Sequence, residues 1–127
     1  MYKRHETGKT GEDLACDFLL KKNFEIIERN FRCKIGEIDI ISKDKEELVF
    51  VEVKTRTQKM YGNPAEAIDI KKKKHIYRAA EYYMLINNIE NVFCRLDVME
   101  VYIYKNSYKI NYFKNCILEK PKKNKGR

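Results

Sequence analysis

The chain has 127 residues, of which 43% are hydrophobic, which suits one globular domain and excludes a disordered protein. Lysine and arginine number 27 against 19 aspartates and glutamates, and the net charge of +8 favours a polyanionic partner, nucleic acid before an anionic membrane surface. No apolar run approaches the ~18 residues of a membrane span, and the polar N-terminus lacks the apolar stretch of a signal peptide. We therefore expect a cytoplasmic protein with no membrane partner.

The first half of the chain predicts one helix and three strands. Apolar residues recur at helical spacing after TGKTGED, and three runs rich in β-branched residues follow. In order, these patterns predict a helix at about residues 8–22 and strands at 24–32, 36–42 and 47–55. The polar turn KDKE, residues 43–46, lies between the second and third strands, so we expect these two strands to form a hairpin.

The second half predicts a loop, a long helix and two more strands. An Asn-Pro pair at 63–64 is typical of a helix start, and the amphipathic pattern that follows predicts a helix over 65–87, with strands at 92–104 and 108–113. The order α-β-β-β-α-β-β predicts an α/β fold, a mixed sheet flanked by helices, as a single domain over residues 1–118. The basic segment at 119–127 predicts a disordered tail.

The four cysteines lie far apart in the sequence and form no C-x-x-C pair. This spacing does not suit a zinc or iron–sulfur site. We expect reduced and mostly buried thiols at Cys16, Cys33, Cys94 and Cys116.

The third strand carries charges where an interior strand is usually apolar. Side chains alternate between the two faces of a strand, so Glu52 and Lys54 share one face while Val51 and Val53 share the other. A buried charge costs several kcal/mol, by rough estimate, unless a partner compensates it.

The second strand repeats this arrangement. Alternation places Glu37 and Asp39 on one face and Ile38 and Ile40 on the other. If the apolar faces of both strands pack into the same core, Asp39 and Glu52 lie about 5 Å apart and repel by roughly 3 kcal/mol at an effective dielectric near 20. The pair then needs either a proton or a cation between its carboxylates.

Two interpretations of this charged face remain open from the residues alone. Hard oxygen ligands suit Mg²⁺ or Mn²⁺, and Lys54 would then orient an attacking water or neutralise charge on a phosphoryl group. Alternatively, Asp39, Glu52 and Lys54 form a structural ion pair beside the sheet. The combination of an acid in one hairpin strand, E-x-K in the next and a basic chain overall favours the first interpretation.

Four short motifs give the chain a resemblance to a known family. It resembles the YraN-like family of small bacterial proteins, which is similar to the archaeal Holliday junction resolvases of the restriction-endonuclease-like superfamily. The resemblance extends over roughly residues 5–103, and Ile38 stands where that superfamily often has proline. The matching motifs are G-x-x-G-E at 8–12, GEIDII at 36–41, FVEVKTR at 50–56 and P-x-E-A-I at 64–68.

The resemblance implies a restriction-endonuclease-like fold and a metal-dependent nuclease that hydrolyses DNA, including branched, Holliday-junction-like DNA. Asp39 and Glu52-Val53-Lys54 match the superfamily's Asp and E-x-K pattern. Glu12 matches a glutamate of the first helix that joins the metal site; without the resemblance, favourable interaction with the helix dipole explains an acid there. The implied catalytic residues are thus Glu12, Asp39, Glu52 and Lys54, with the three acids holding Mg²⁺ or Mn²⁺.

Further residues are candidates for contacts with DNA. Thr55 and Arg56 follow Lys54 into the loop, and Lys71, Lys72 and Arg78 lie on the long helix, where one or two of its basic side chains can reach phosphate. Symmetric cleavage of a junction needs two active sites, so a resolvase role predicts a homodimer. The alternative is a DNA-binding module that retains the nuclease fold and does not cleave.

Overall fold

The computed structural model of the chain describes residues 10–57 and 70–114. Its elements follow the predicted order and confirm the α/β class and the hairpin. They are α1 (Gly11–Lys21), β1 (Glu25–Arg32), β2 (Glu37–Asp44), β3 (Glu47–Arg56), α2 (Ile70–Ile86), β4 (Cys94–Ile103) and β5 (Tyr108–Phe113). The predicted beginnings of both helices and the basic segment at 119–127 lie outside the described residues.

The five strands form one sheet in the order β1-β2-β3-β4-β5. Only β3 and β4 are parallel, because the chain crosses from one to the other through α2, and the remaining neighbours are antiparallel. Buried residues form two clusters, one between the sheet and α1 and one between the sheet and α2. Val49 and Val51 of β3 pack on the α1 face, and Leu48 and Phe50 pack on the α2 face. No helix among the described residues is long and apolar enough to cross a bilayer.

The first turn of α1 is held in two ways. Thr10 is its N-cap, and Thr10 and Asp13 form a reciprocal capping box that satisfies two backbone N–H groups. A hydrogen bond from the Thr10 backbone, followed by one from Arg29, lowers the pKa of Asp13 to about 2. Gly11 lies against β3, where a Cβ atom would overlap the Thr55 hydroxyl.

The face assignment of Ile38 and Ile40 was wrong. These residues were predicted to share a face, but Ile40 packs in the α1 cluster whereas Ile38 packs with Phe31 in the α2 cluster. The strand therefore departs from regular alternation around Asp39, between the two isoleucines. The backbone N–H of Val53 donates to the Asp39 carboxylate here, so a side chain takes the place of a backbone acceptor.

The cysteines meet the expectation only in part. The three described cysteines form no disulfide; Cys16 is buried and Cys33 is half-buried. Cys94 is exposed, against the prediction, because it begins β4 at the rim of the sheet. Cys116 lies outside the described residues.

Candidate active site

The candidate site lies where the pairing of β2 and β3 stops. Their antiparallel ladder runs from the turn to the pair Ile40 and Val51 and includes no later pair, although both strands continue. Just beyond it, the Val53 N–H donates to Oδ2 of Asp39 at 2.7 Å. This hydrogen bond brings Asp39 to β3 beside Glu52, the next residue after the last pair.

Asp39 and Glu52 form a carboxylate pair in which Asp39 is half-buried and Glu52 is buried. Glu52 is only 5% exposed. Burial, and then the negative charge of Glu52, raise the pKa of the Asp39 carboxyl to about 7, although the hydrogen bond from Val53 opposes the change. A hydrogen bond between the two carboxyls also raises the pKa of Asp39, because the protonated form of Asp39 donates it. The pair thus retains a proton close to neutral pH, which is one of the two remedies that the sequence predicts.

Glu12 lies close enough to Asp39 for its negative charge to act on that carboxyl. It follows Gly11 in the first turn of α1, and its charge is a further cause of the raised pKa of Asp39. Its Oε1 accepts hydrogen bonds from Arg29 and Asn30 of β1, both at 3.2 Å. Its Oε2 is buried, and no described residue donates a hydrogen bond to it. A buried carboxylate oxygen without a donor is costly and indicates a missing partner.

Lys54 supplies a positive charge on the same face of β3. By strand alternation it lies on the face of Glu52, and it is half-buried. Among the described residues no carboxylate pairs with its ammonium group within 4.0 Å, so the structural ion pair that the sequence left open does not form with this lysine. The ammonium remains available to a ligand.

The three acids do not form a finished coordination group. Within residues 10–57 and 70–114, no three His, Cys, Asp or Glu side chains are arranged to hold a metal ion. Their chemistry nevertheless fits a hard divalent cation, because Glu12 carries a buried oxygen without a donor and the carboxylate pair holds a proton that a cation can replace.

The predicted DNA contacts are spread over different surfaces. Thr55 lies on the α1 face against Gly11, opposite to Lys54. Arg56 is half-buried on the same face as Lys54, and Arg78 is exposed on α2. The backbones of Lys71 and Lys72 belong to α2, and their side chains lie outside what the structure describes.

Sequence reasoning missed Glu100 and Tyr102 of β4, which lie beside the site. In the parallel ladder, Glu100 is the partner of Lys54 and Tyr102 is the partner of Arg56. Glu100 is 7% exposed and accepts a hydrogen bond from the Tyr102 hydroxyl at 3.1 Å. The alternation of apolar and polar residues in the segment MEVY was a usable signal. The partner of Glu100, however, depends on the register of β4 against β3, which lies on the other side of α2 in the chain.

A second group of charges, the Arg95 cluster, lies on the α1 face near the β2–β3 turn. Arg95 donates to both carboxylate oxygens of Asp97, at 3.0 and 3.2 Å, to Asp44 at 3.3 Å and to Glu47. Asp97 is fully buried and also accepts a hydrogen bond from the Tyr112 hydroxyl. Burial and this hydrogen bond raise the pKa of Tyr112. Each of these groups has a partner of complementary chemistry, so the cluster is structural. The R-x-D pattern at 95–97 was its only signal in the sequence.

The fold and site together define a small mixed α/β domain with a partly buried acidic site where the pairing of β2 and β3 stops. The chain belongs to the family described as uncharacterised protein family UPF0102, whose model matches residues 11–101. This membership confirms the resemblance to the YraN-like family.

Three relatives cover nearly the whole chain. It is 47% identical over 115 residues to a UPF0102 protein of Caldicellulosiruptor saccharolyticus, covering 89% of this chain and 98% of that protein. It is 45% identical over 118 residues to a Clostridium botulinum UPF0102 protein, covering 91% and 96% of the two chains. It is 46% identical over 111 residues to a Clostridioides difficile UPF0102 protein, covering 87% and 96%.

Proposed function

We propose that this protein is a metal-dependent endonuclease that hydrolyses phosphodiester bonds in DNA, with branched DNA as the first substrate class to test. The observation that carries the proposal is the pair of Asp39, half-buried, and Glu52, buried, on the same strand face as a lysine that has no carboxylate partner among the described residues. Buried like charges are costly, and active sites are where proteins retain them. The net charge of +8 favours a polyanionic substrate.

In this proposal Glu12, Asp39 and Glu52 hold Mg²⁺ or Mn²⁺. A divalent ion bound there supplies Lewis-acid polarisation of a phosphoryl oxygen and lowers the pKa of a bound water. The protein's own part is to bring the three acids together from α1, β2 and β3. Arg29 and Asn30 hold Oε1 of Glu12, and the Val53 N–H holds Asp39, so these acids reach the site in fixed orientations.

Lys54 has the second role. Its position on the face of Glu52 puts a positive charge beside the place where phosphate must bind. Negative charge grows on the phosphoryl oxygens as the bond breaks, and a preorganised cation stabilises that charge without reorganisation. The same ammonium can hold the attacking water in line. Its lack of a described carboxylate partner leaves it free for both tasks.

A second candidate is a DNA-binding module that does not cleave. One observation favours it: the carboxylate pair is already stabilised by a proton, and the described acids do not form a group of three metal ligands. In that case the site is an inactive remnant, and the basic charge alone carries the function. The two candidates differ in whether phosphodiester bonds are broken.

The deciding experiment is a cleavage panel. Four-way junctions, flaps, duplexes and single strands of labelled DNA are incubated with the protein and Mg²⁺, Mn²⁺ or EDTA. We expect cleavage of at least one substrate that requires a divalent ion and is lost in Glu52→Gln. An RNA strand of matched sequence tests the choice of nucleic acid.

The control variant is Glu25→Gln, which removes a carboxylate from an exposed position in β1. It should cleave like the wild type. DNA binding without cleavage of any substrate by the wild type, with either metal, would establish the binding module instead.

A further inference from the structure

Glu100 is a buried charge beside the candidate site for which the proposed chemistry has no task. It is 7% exposed, and its two oxygens have different partners: Oε1 accepts the Tyr102 hydroxyl at 3.1 Å, and Oε2 lies 4.0 Å from Nη2 of Arg56. Keeping such a charge buried requires a compensating partner. Arg56 is that partner.

The register of β3 and β4 arranges these residues as a patch on one face of the sheet. Lys54 lies opposite Glu100, and Arg56 lies opposite Tyr102. Glu100 reaches diagonally to Arg56 rather than across to Lys54, which has no carboxylate partner among the described residues. One acid thus holds one cation and leaves the other free, so the patch keeps a net positive charge.

Arg56 is held incompletely. Its side chain is 16% exposed, and its Nη2 is buried with no hydrogen-bond acceptor among the described residues, since 4.0 Å to Glu100 is an ion pair and not a hydrogen bond. A buried guanidinium N–H without an acceptor is rare in folded proteins. A phosphate oxygen is a suitable acceptor for it, because a guanidinium matches the geometry and charge of phosphate oxygens.

We propose that Arg56, positioned by Glu100 and Tyr102, forms a second phosphate subsite that binds the phosphodiester next to the one being cleaved. Lys54 and Arg56 are two residues apart on one strand, or about 7 Å, so they contact separate phosphates. The inference rests on the proposed nuclease function and deepens it. The substrate is then a polynucleotide with at least two successive phosphodiesters, and Glu100 is a positioning residue.

The test uses oligonucleotides in which one linkage beside the cleaved bond, on one side or the other, is a neutral methylphosphonate. For the wild type, neutralising one of these linkages should lower kcat/KM about tenfold to a hundredfold, mostly through KM, because a charge-assisted contact is lost. Arg56→Gln should show a loss of the same size on the unmodified oligonucleotide. The methylphosphonate should then cost this variant nothing more.

Glu100→Gln separates positioning from direct contact. It keeps the shape and the acceptor for Tyr102 but releases Arg56, so it should lose less than Arg56→Gln. The double variant should behave like Arg56→Gln alone, because Glu100 acts only through the arginine. Losses that add in the double variant would overturn the positioning role. The control is Arg32→Gln, an exposed arginine of β1 that pairs with Glu37.

The subsite is wrong if Arg32→Gln loses as much as Arg56→Gln, or if the methylphosphonate costs Arg56→Gln as much as it costs the wild type. Should Arg56→Gln fail to fold by thermal melting, Arg56→Lys replaces it and should lose part of the same discrimination, since a lysine keeps the charge but lacks the guanidinium N–H groups. If the wild type cleaves nothing, the proposed function fails. The affinity of the same oligonucleotides without metal still tests the subsite, by whether the methylphosphonate weakens the wild type but not Arg56→Gln.

Discussion

The carboxylate pair and the Arg95 cluster are two ways of burying acids in the same sheet. In the Arg95 cluster one guanidinium serves three carboxylates and a tyrosine hydroxyl serves the most buried of them. In the carboxylate pair, two acids face each other, and burial raises the pKa of Asp39 instead of a cation lowering it. Lys54, on the same face of β3 as Glu52, has no carboxylate partner within 4.0 Å among the described residues.

The difference shows how structural and functional charges can be told apart. A structural cluster satisfies its charges internally, so that nothing need be added and removing one partner is costly. The carboxylate pair retains a proton, Asp39 accepts a hydrogen bond from the Val53 N–H, and Glu12 adds a buried oxygen that has no described donor. Under the proposed function, a divalent ion and a phosphate supply the partners that these charges lack among the described residues.

The largest expected effect compares stability after removing one cation from each region. Arg95→Met leaves the fully buried Asp97 without its counter-ion and should lower the free energy of unfolding by about 3–5 kcal/mol. Lys54→Met removes a cation that has no described carboxylate partner, keeps most of the aliphatic stem, and should change stability by less than about 1 kcal/mol. Urea denaturation of both variants measures the difference. Equal losses would mean that Lys54 is structural as well.

In a cleavage assay the same two variants should rank in the opposite order, with the larger loss in Lys54→Met. Lys54→Met removes one preorganised cation from the transition state, worth roughly 3 kcal/mol, and should lower kcat by about a hundredfold or more. Arg95→Met, assayed at a temperature where it is folded, should cleave at close to the wild-type rate. Lys43→Met, at an exposed position of β2, controls for the loss of a surface charge. A Lys54→Met variant that cleaves normally would exclude the catalytic role.

Mn²⁺ binding should also distinguish the two regions, through a smaller change in stability than the Arg95→Met substitution causes. An ion that binds only the folded state stabilises it by mass action, by about 2.7 kcal/mol at a concentration one hundred times Kd. We expect Mn²⁺ to raise the melting temperature of the wild type and of Asp44→Asn, a change in the Arg95 cluster. Asp39→Asn should show no shift. If the shift in melting temperature is lost in Asp44→Asn and kept in Asp39→Asn, the ion binds in the Arg95 cluster and not at the carboxylate pair.

The smallest effect concerns pH in the absence of metal. Because the pKa of Asp39 is about 7 in the folded protein and 3.8 as the ordinary value, the folded state keeps this proton while the unfolded state loses it. The contribution of this proton to stability is therefore fully present below pH 3.8 and is lost as pH rises to about 7. Asp39→Asn should flatten that decline in urea denaturation curves measured with EDTA. A decline of unchanged slope would assign it to other groups.

Much of the fold could be predicted because local patterns determine it. The bounds of β5 match the run YKINYF at 108–113, and β2 and β3 lie on the two runs predicted on either side of the polar turn. The site residues on β3 could also be named, since a strand's alternation alone puts Glu52 and Lys54 on one face. The approach of Asp39 to Glu52 was predicted from the hairpin and from strict alternation in β2; the hairpin is confirmed, but the alternation fails at Asp39.

The rest depended on contacts that local patterns do not encode. Ile38 and Ile40 were assigned to one face because strict alternation was assumed, and the hydrogen bond from Val53 to Asp39 breaks it. The roles of Glu100 and Arg95 follow from the register of β3 against β4, strands joined through a loop and a helix. E-x-K and R-x-D look alike as sequence, and only the register and the neighbouring strands separate the site from the structural cluster.

Gly11 shows that a residue with no side chain can govern a site built from charges. A methyl group at this position would overlap the Thr55 hydroxyl. The start of α1 and the end of β3 therefore pack too closely for any side chain at position 11. Glu12 follows Gly11 and Lys54 precedes Thr55, so a larger residue at position 11 should change the position of the acid relative to the lysine. In a saturation screen for cleavage, Gly11 should tolerate as few replacements as the acids themselves, although it can neither bind a metal nor touch DNA through a side chain.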